Sequence, residues 1–296
     1  MKRYDLISYE RIEGRDFTLI PVMVDGKWGL INDETHEEVA IPNYDTIPTL
    51  INKKYIKCYF AGKCGVVDFN GESQIVCDYD DVEIIEKNVF IVKKDNKYGL
   101  IYIDVFHGKA EKICDIISDE ITLISDFMKP FYMVVKDGKY GLIDSKGNIR
   151  LDTEYASISH SQQYYLNLQD NNGNVMLYSI SRNCILTKKY QRIRNFSEYL
   201  AAVQNEKGLW GFIDSDGSEI VKCKYHDVRD FHNGFAVVKI DDKFGYINAK
   251  GDEVSKIIYS YAKQVNERGI ASVMIATKDP TNTNKTISSK GTIHLK

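Results

Sequence analysis

The sequence predicts an all-β protein built from about eight short antiparallel β-meanders of ~35 residues each. Three features carry that prediction: a recurring aromatic-glycine phrase, turn-forming triplets at fixed offsets from it, and a composition that favours strands. The phrase is "GKWGLIND" at 26–33, and it returns as "NKYGLIYI" at 96–103, "GKYGLIDS" at 138–145, "GLWGFIDS" at 208–215 and "DKFGYINA" at 242–249. The chain holds 20 Tyr, 12 Phe and 20 Gly but only 5 Pro, and no stretch keeps a helical apolar period over 12 or more positions.

Two markers keep the period independently. The glycines Gly29, Gly65, Gly99, Gly141, Gly211 and Gly245, with Met176 in the same slot, are separated by 36, 34, 42, 35, 35 and 34 residues in chain order. A tyrosine marker downstream falls at Tyr9, Tyr44, Tyr79, Tyr155, Tyr190, Tyr225 and Tyr259, with steps of 35, 35, 76, 35, 35 and 34. The doubled step marks a third unit that has lost its tyrosine and gained an insertion.

Within one unit, "FAVVKI" (235–240) predicts a strand and "DDK" a hairpin turn, as do "DGK" at 25–27 and 137–139 and "DNK" at 95–97. "FGYIN" is the next strand, and "AKG" turns the chain again, as do "SKG" at 145–147, "SDG" at 215–217 and "FNG" at 69–71. The run up to the tyrosine is a third strand, and the residues after it supply a short fourth. The aromatic slot holds Trp28, Tyr98, Tyr140, Trp210 and Phe244, with Cys64 and Val175 as departures; it is expected to be a buried rung in each unit. A glycine inside a strand packs nothing, so its recurrence requires a backbone bend or a side chain lying across it.

On "GKWGLIND", "GKYGLIDSKGNI", "GLWGFIDSDGSEIVKCKYHDV" and "DKFGYINAKGDEV" the chain resembles the WG-repeat (KWG-repeat) proteins of bacteria over nearly its whole length. The resemblance implies a repeat scaffold that binds other proteins, and it brings no catalytic residues with it. The chain opens in the tyrosine phase with "LISYERI", and Ser288–Gly291 match Asp144–Gly147, so residues 1–296 are expected to form a single domain whose terminal half-repeats pair. Strands such as "FAVV" and "GFID" are apolar on both faces, which favours a closed, propeller-like ring over an open β-superhelix.

Lys plus Arg number 39 against 42 Asp plus Glu, a net charge of −3, and that balance argues against a nucleic-acid or anionic-membrane partner. No secretory leader and no apolar run of 18 residues is present, so a cytoplasmic setting with reduced thiols is expected for Cys58, Cys64, Cys77, Cys114, Cys184 and Cys223.

Candidate chemistry yields to simpler readings. Cys223, His226 and His232 cluster, but the slot two residues before the tyrosine also holds Pro42, Cys77, Thr153, Lys188 and Ile257, so it tolerates many residues and a zinc site is not expected. "DSDGSE" (214–219) lacks the rest of a calcium loop and is expected to be a turn. "KKYQRIRN" (188–195) gathers Lys188, Lys189, Arg192 and Arg194, which suit a basic edge strand better than a phosphate site. The histidines His36, His107, His160, His226, His232 and His294 have no Ser or Asp companion at a telling spacing, and Asp80 and Asp81 are expected to be exposed.

No catalytic, metal or cofactor residue is assigned. The function expected is a non-enzymatic protein-interaction scaffold that binds through variable loops at 102–121, 156–174 and 277–286. Two alternatives are a glycan or small-ligand binder using Tyr164, Tyr165 and Tyr199, and an enzyme whose site is marked by convergent polar groups that break the repeat pattern.

Overall fold

In the computed structural model each repeat folds as an antiparallel meander, because each turn triplet reverses the chain between two apolar strands. The structure describes residues 4–104, 109–124, 130–162, 164–279 and 282–295. Among the described residues there is no helix, and the strands form eight sheets. The second sheet shows the plan, with Thr49–Asn52, Tyr55–Phe60, Lys63–Asp68 and Ser73–Tyr79 paired in chain order. The first sheet runs through Thr18–Val24, Lys27–Asn32 and Glu38–Tyr44, the third from Asp81–Glu86 to Lys109–Ser118, and the fourth from Glu120–Ile124 to Ile149–Tyr155. The fifth spans Ser157–Gln162 to Cys184–Ile185, and the sixth Arg192–Ser197 to Glu219–Tyr225. The seventh and eighth have three strands each, from Asp227–Val228 to Lys243–Asn248 and from Tyr261–Ala262 to Asn282–His294.

In the first four sheets the hairpins between second and third strands use left-handed backbone at both central residues: Asp25–Gly26, Ala61–Gly62, Asp95–Asn96 and Asp137–Gly138 all have positive φ. This is the turn whose twist matches that of paired strands, and it explains the Asp/Asn/Gly preference.

The chain divides into two compact units, Met1–Thr153 and Glu154–Lys296. In each, sheet packs on sheet through one rule. The residue after the strand glycine is fully buried in six sheets, as is the one after Met176 in a seventh: Leu30, Val66, Leu100, Leu142, Leu177, Phe212 and Tyr246 are each 0% exposed. Leu30, Val66 and Leu100 face the following sheet in the first unit, and Leu177, Phe212 and Tyr246 do so in the second. The next residue faces the preceding sheet, as Val67, Ile101 and Ile143 do in one unit and Ile213 and Ile247 in the other. Covering on both faces is why these strands lack polar alternation.

The aromatic slot is not the buried rung. Trp210 is buried, but Trp28, Tyr98, Tyr140 and Phe244 are half-buried. Cations from the same sheet shield several of them, with Lys93 over Tyr98, Lys239 over Phe244 and the Arg194 guanidinium 4.2 Å from the Trp210 ring centre. A ring opposite a lysine of the neighbouring strand keeps one face available to that cation, whereas the residue beyond the glycine points into the adjoining sheet.

The strand glycine answers to both requirements foreseen for it. Trp28 pairs with Tyr44 and Leu30 with Ala40, so residues 41–43 of the fourth strand bulge opposite Gly29 alone. A Cβ on Gly29 would lie 2.6 Å from the Ala40 carbonyl oxygen, and one on Gly211 2.3 Å from that of Val221. The slot two before the tyrosine is the lid of this crossing: Cys77, Thr153 and Ile257 lay side chains 2.7 Å from the Cβ that Gly65, Gly141 and Gly245 lack. Its range of residue types therefore reflects a packing role, not indifference. Where Met176 fills the glycine position, the slot residue Lys188 is exposed and turns to Glu219.

A second set of glycines joins sheets. Gly71 and Gly147, both in left-handed turns, would each drive a Cβ to 2.0 Å from a carbonyl oxygen of the preceding sheet, Val39 and Ile113 respectively. Gly217 meets Leu186 in the same way. The turn thus seats against its neighbour's backbone at a distance only glycine allows.

An aspartate after the tyrosine ties consecutive sheets. Asp45 accepts from Lys27 of one hairpin turn at 2.7 Å and from the Gly62 amide of the next turn at 2.7 Å. Asp80 does the same with Lys63 and the Asp95 amide, and Asp119 with Lys97 and the Asp137 amide. The neighbouring lysine, then the turn amide, holds each of these three carboxyls below the ordinary aspartate value. Asp80 and Asp81 are thus ion-paired, Asp81 with Lys57. In the third unit Ser118 takes the lost tyrosine's place, opposite Tyr98 and just before Asp119.

This tie exposes a mistaken marker. Tyr9 is 100% exposed, whereas Tyr4 packs against Ile20, Val22 and Ile31, and Asp5 accepts from the Asp25 amide just as Asp45 does from Gly62. The in-phase pair is Tyr4–Asp5, and a five-residue excess before the next tyrosine is taken up between the short strands Leu6–Ile7 and Ile12–Glu13. Both strands pair with Thr18–Val24, and the last sheet is drawn from residues 261–294, so the terminal segments sit in separate sheets. Ser288–Gly291 form no turn either: Gly291 pairs with Val273 inside a strand, the register that Gly29 keeps with Val22. An antiparallel partner a few residues away costs less loop-closure entropy than one at the far end of the chain.

Two predictions test this construction. In urea unfolding, Leu100→Ala should cost about 2–5 kcal/mol and Tyr98→Ala clearly less, while Gly211→Ala should cost about 1–3 kcal/mol through overpacking. Because the lowered carboxyls lend stability above the ordinary value of 3.8 and lose it as pH falls through their folded-state values, Asp80→Asn should flatten the loss of stability between neutral pH and about pH 3.

Candidate functional site

A polar cleft in the second unit stands out against this regular packing. It encloses about 540 Å³ between the fifth and sixth sheets. On the fifth sheet, Ser157 pairs with Gln169 and Ser159 with Asn167, and alternation of side chains puts all four on one face. On the sixth, the first strand contributes Arg192 and Arg194, with Trp210 behind them.

These residues depart from the repeat. The position of Asn167, next to the partner of the glycine slot, holds Pro21, Ile91, Met133, Ala202 and Val237 in five other sheets, with Lys57 and Ser272 as its polar counterparts in the second and eighth. The position of Arg192 holds Asp81, Glu120 and Asp227 in three other first strands, against which its charge is inverted, and the uncharged Leu6, Ser157 and Tyr261 in three more.

The electrostatics separate the two arginines. Arg194 is a structural cation: it stacks on Trp210, donates to the Val228 carbonyl at 3.0 Å and reaches Asp230 Oδ1 at 3.3 Å. Arg192 is exposed and forms no ion pair with any described residue. Facing it, Asn167 Oδ1 is buried without a hydrogen-bond partner, an expensive state for an amide oxygen. Ser157 donates its hydroxyl to Gln169 Oε1 at 3.2 Å. The lining holds no carboxylate, histidine or thiol, so it offers hydrogen bonds and positive charge but no general acid or base.

The other sequence candidates fall elsewhere. Of the basic run, Lys188 pairs with Glu219 at 2.9 Å and Lys189 with Asp170 at 2.8 Å, and Arg192–Ser197 is the terminal strand of its sheet. Cys223 covers Gly211, His226 Nδ1 accepts from the Asp241 amide at 2.6 Å in the place of the tying aspartate, and His232 bridges Phe235, so the three act separately. Asp214 of "DSDGSE" caps its own turn by accepting from the amides of Asp216 and Ser218. His36, His160 and His294 are exposed, and His107 lies outside the described residues.

Tyr199 is 83% exposed at a left-handed turn, and Tyr164 is partly exposed, but Tyr165 packs on Phe196 with ring centres 5.1 Å apart and donates to the Ser215 carbonyl. Residues 105–108, 163 and 280–281 of the three variable segments lie outside the described residues. The segment 156–174 and the basic run are the two that meet in the cleft. Asn167 carried no sequence signal except its break with the apolar pattern.

The family description "WG containing repeat" matches residues 65–98, 210–244 and 244–276. These segments are WG-containing repeats. Each match runs from the aromatic-glycine slot of one sheet towards that of the next, so a WG repeat includes the fourth strand, the tying residue and the first two strands of the following sheet. Trp210 and the Arg194 stack thus sit where one WG repeat begins. Comparison with curated proteins finds no match. Among solved structures, the chain is similar to BamB from Moraxella catarrhalis, at 10% identity over 89% of this chain and 90% of that one with a TM-score of 0.29. It is similar also to Saccharomyces cerevisiae Sqt1, at 11% identity over 100% and 98% with a TM-score of 0.30. The WD40 β-propeller domain of Doa1 matches at 12% identity over 83% and 93% with a TM-score of 0.26.

The division of labour between the arginines is measurable. Arg192→Ala should leave unfolding stability within about 0.5 kcal/mol of the native chain, whereas Arg194→Ala should cost about 1–2 kcal/mol.

Proposed function

We propose that this chain is a non-enzymatic WG-repeat scaffold that binds a protein partner, and that the cleft between the fifth and sixth sheets receives an acidic, extended segment of that partner. The observation that carries this reading is the pairing of an unpartnered, charge-inverted Arg192 with the buried, unsatisfied Asn167 Oδ1. A carboxylate would neutralise the guanidinium, and a turn of the half-buried Asn167 side chain into the cleft would let its oxygen accept the amide N–H of the same segment. Arg194, already held by Trp210 and Asp230, keeps the floor rigid, so little side-chain entropy is lost on binding.

The same proposal takes the sheets of each unit as successive blades packed face to face, in the manner of a propeller. Supporting it is the repetition, three times within each unit, of one sheet-to-sheet contact.

Selection from a random peptide display library should enrich sequences with Asp or Glu flanked by extended residues, and Arg192→Glu should abolish the enrichment while leaving unfolding unchanged. Enrichment that ignores Arg192→Glu, the absence of any enriched peptide, or preferential capture of single-stranded RNA in a parallel filter assay would overturn it.

A further inference from the structure

Cys58 and Cys77 lie in the second and fourth strands of one sheet, with the third strand between them, yet their sulfurs are 3.7 Å apart. Strands two places apart in a sheet are separated by roughly 9–10 Å, which normally keeps such side chains out of disulfide reach. The intervening residue is Gly65, paired with Cys58, and the bulge opposite it folds Cys77 over the middle strand. The Cβ that Gly65 lacks would stand 2.7 Å from Cys77 Sγ and 2.8 Å from the Cys77 amide nitrogen. The sulfurs therefore meet across the gap that the glycine leaves.

The same two positions hold Val22 and Pro42, Val92 and Ile116, Val134 and Thr153, Val203 and Cys223, and Val238 and Ile257 in other sheets that keep the glycine. The second sheet is the one in which both are thiols. Cys64, though next to Gly65, is packed with the cluster on the opposite face and does not compete.

We propose that Cys58 and Cys77 form a reversible disulfide across Gly65, making this crossing a thiol-modification site whose oxidant is a small disulfide such as oxidised glutathione. Cys77 is the entry point: it is half-buried on the terminal strand of its sheet, while Cys58 is 1% exposed. The Cys77 thiolate attacks one sulfur of the glutathione disulfide, forming a mixed disulfide and expelling one glutathione thiolate. Cys58, deprotonated, then attacks the Cys77 sulfur and expels the second, so two protein thiols are oxidised and one glutathione disulfide is reduced to two glutathiones. Closing the sulfurs from 3.7 Å to a bond of about 2.05 Å requires a small inward shift, which the fourth strand can make because no further strand pairs with its outer edge. Burial pushes both thiols above their ordinary range, so the reaction is slow at neutral pH and accelerates with rising pH by about tenfold per unit.

The test uses the full chain with Cys114, Cys184 and Cys223 changed to Ser, incubated natively with oxidised glutathione at mildly alkaline pH and read by intact mass and peptide mapping. The expected product has lost two hydrogens and yields a peptide linking residues 58 and 77; reduced glutathione restores the starting mass. Adding Cys58→Ala should halt the reaction at a glutathione adduct on Cys77, and Cys77→Ala should block it, with circular dichroism confirming that each variant is folded. A native chain that accumulates the adduct on Cys77 without closing, or that stays unmodified while an unfolded sample reacts, would overturn the proposal.

Discussion

The structure depends on one steric constraint: the fourth strand of each meander can cross the third only where the third has no side chain. Six sheets place a glycine there, and the crossing brings the fourth strand's carbonyl within 2.3–3.0 Å of the missing Cβ in five of them; in the three-stranded seventh sheet the side chain of Ile257, from the irregular segment after the third strand, takes that place over Gly245. From that crossing follow the bulge, the lid residue above it and the orientation of the next two residues, one towards each flanking sheet. Beside Met176 the chain still returns to the third strand through the Val175–Tyr190 bridge, but its regular pairing is confined to Cys184–Ile185 and the slot residue Lys188 turns outward.

Sheet-to-sheet contact is then an outcome of the same register. Leu30, Val66 and Leu100 reach forward within one unit, and Leu177, Phe212 and Tyr246 within the other. The turn glycines Gly71, Gly147 and Gly217 and the tying carboxylates Asp45, Asp80 and Asp119 act at the edges of that contact. Burial supplies the driving force, since an isolated meander exposes both apolar faces, while the polar ties fix one turn against the next and add specificity more than energy.

Much of this was legible in the amino-acid sequence because it is periodic. The glycine spacing placed the strands, and the turn triplets placed the left-handed residues at Asp25, Asp95 and Asp137. What misled was the visual weight of the aromatic and of even spacing. Trp28 and Tyr98 look like core residues, yet Leu30 and Leu100, one letter beyond the glycine, are buried completely. Tyr9 keeps a 35-residue step while Tyr4 keeps the aspartate that matters, because a local insertion conserves contacts and not distances along the chain. The cleft was half legible: the basic run with Arg192 and the variable segment 156–174 stand out in the sequence, but Asn167 is an ordinary letter until its counterparts, apolar in five other sheets, are aligned by pairing register. The Cys58–Cys77 contact was invisible, since 19 residues and an intervening strand separate the two thiols.

The most direct measurement of the central constraint is hydrogen exchange, resolved by peptide, on Gly141→Ala. If the glycine exists to let the fourth strand cross, protection should fall in Ile149–Tyr155 and in the facing strand Lys139–Asp144, while the first and second sheets exchange as before. Unchanged protection in Ile149–Tyr155, with a folded chain, would contradict the account.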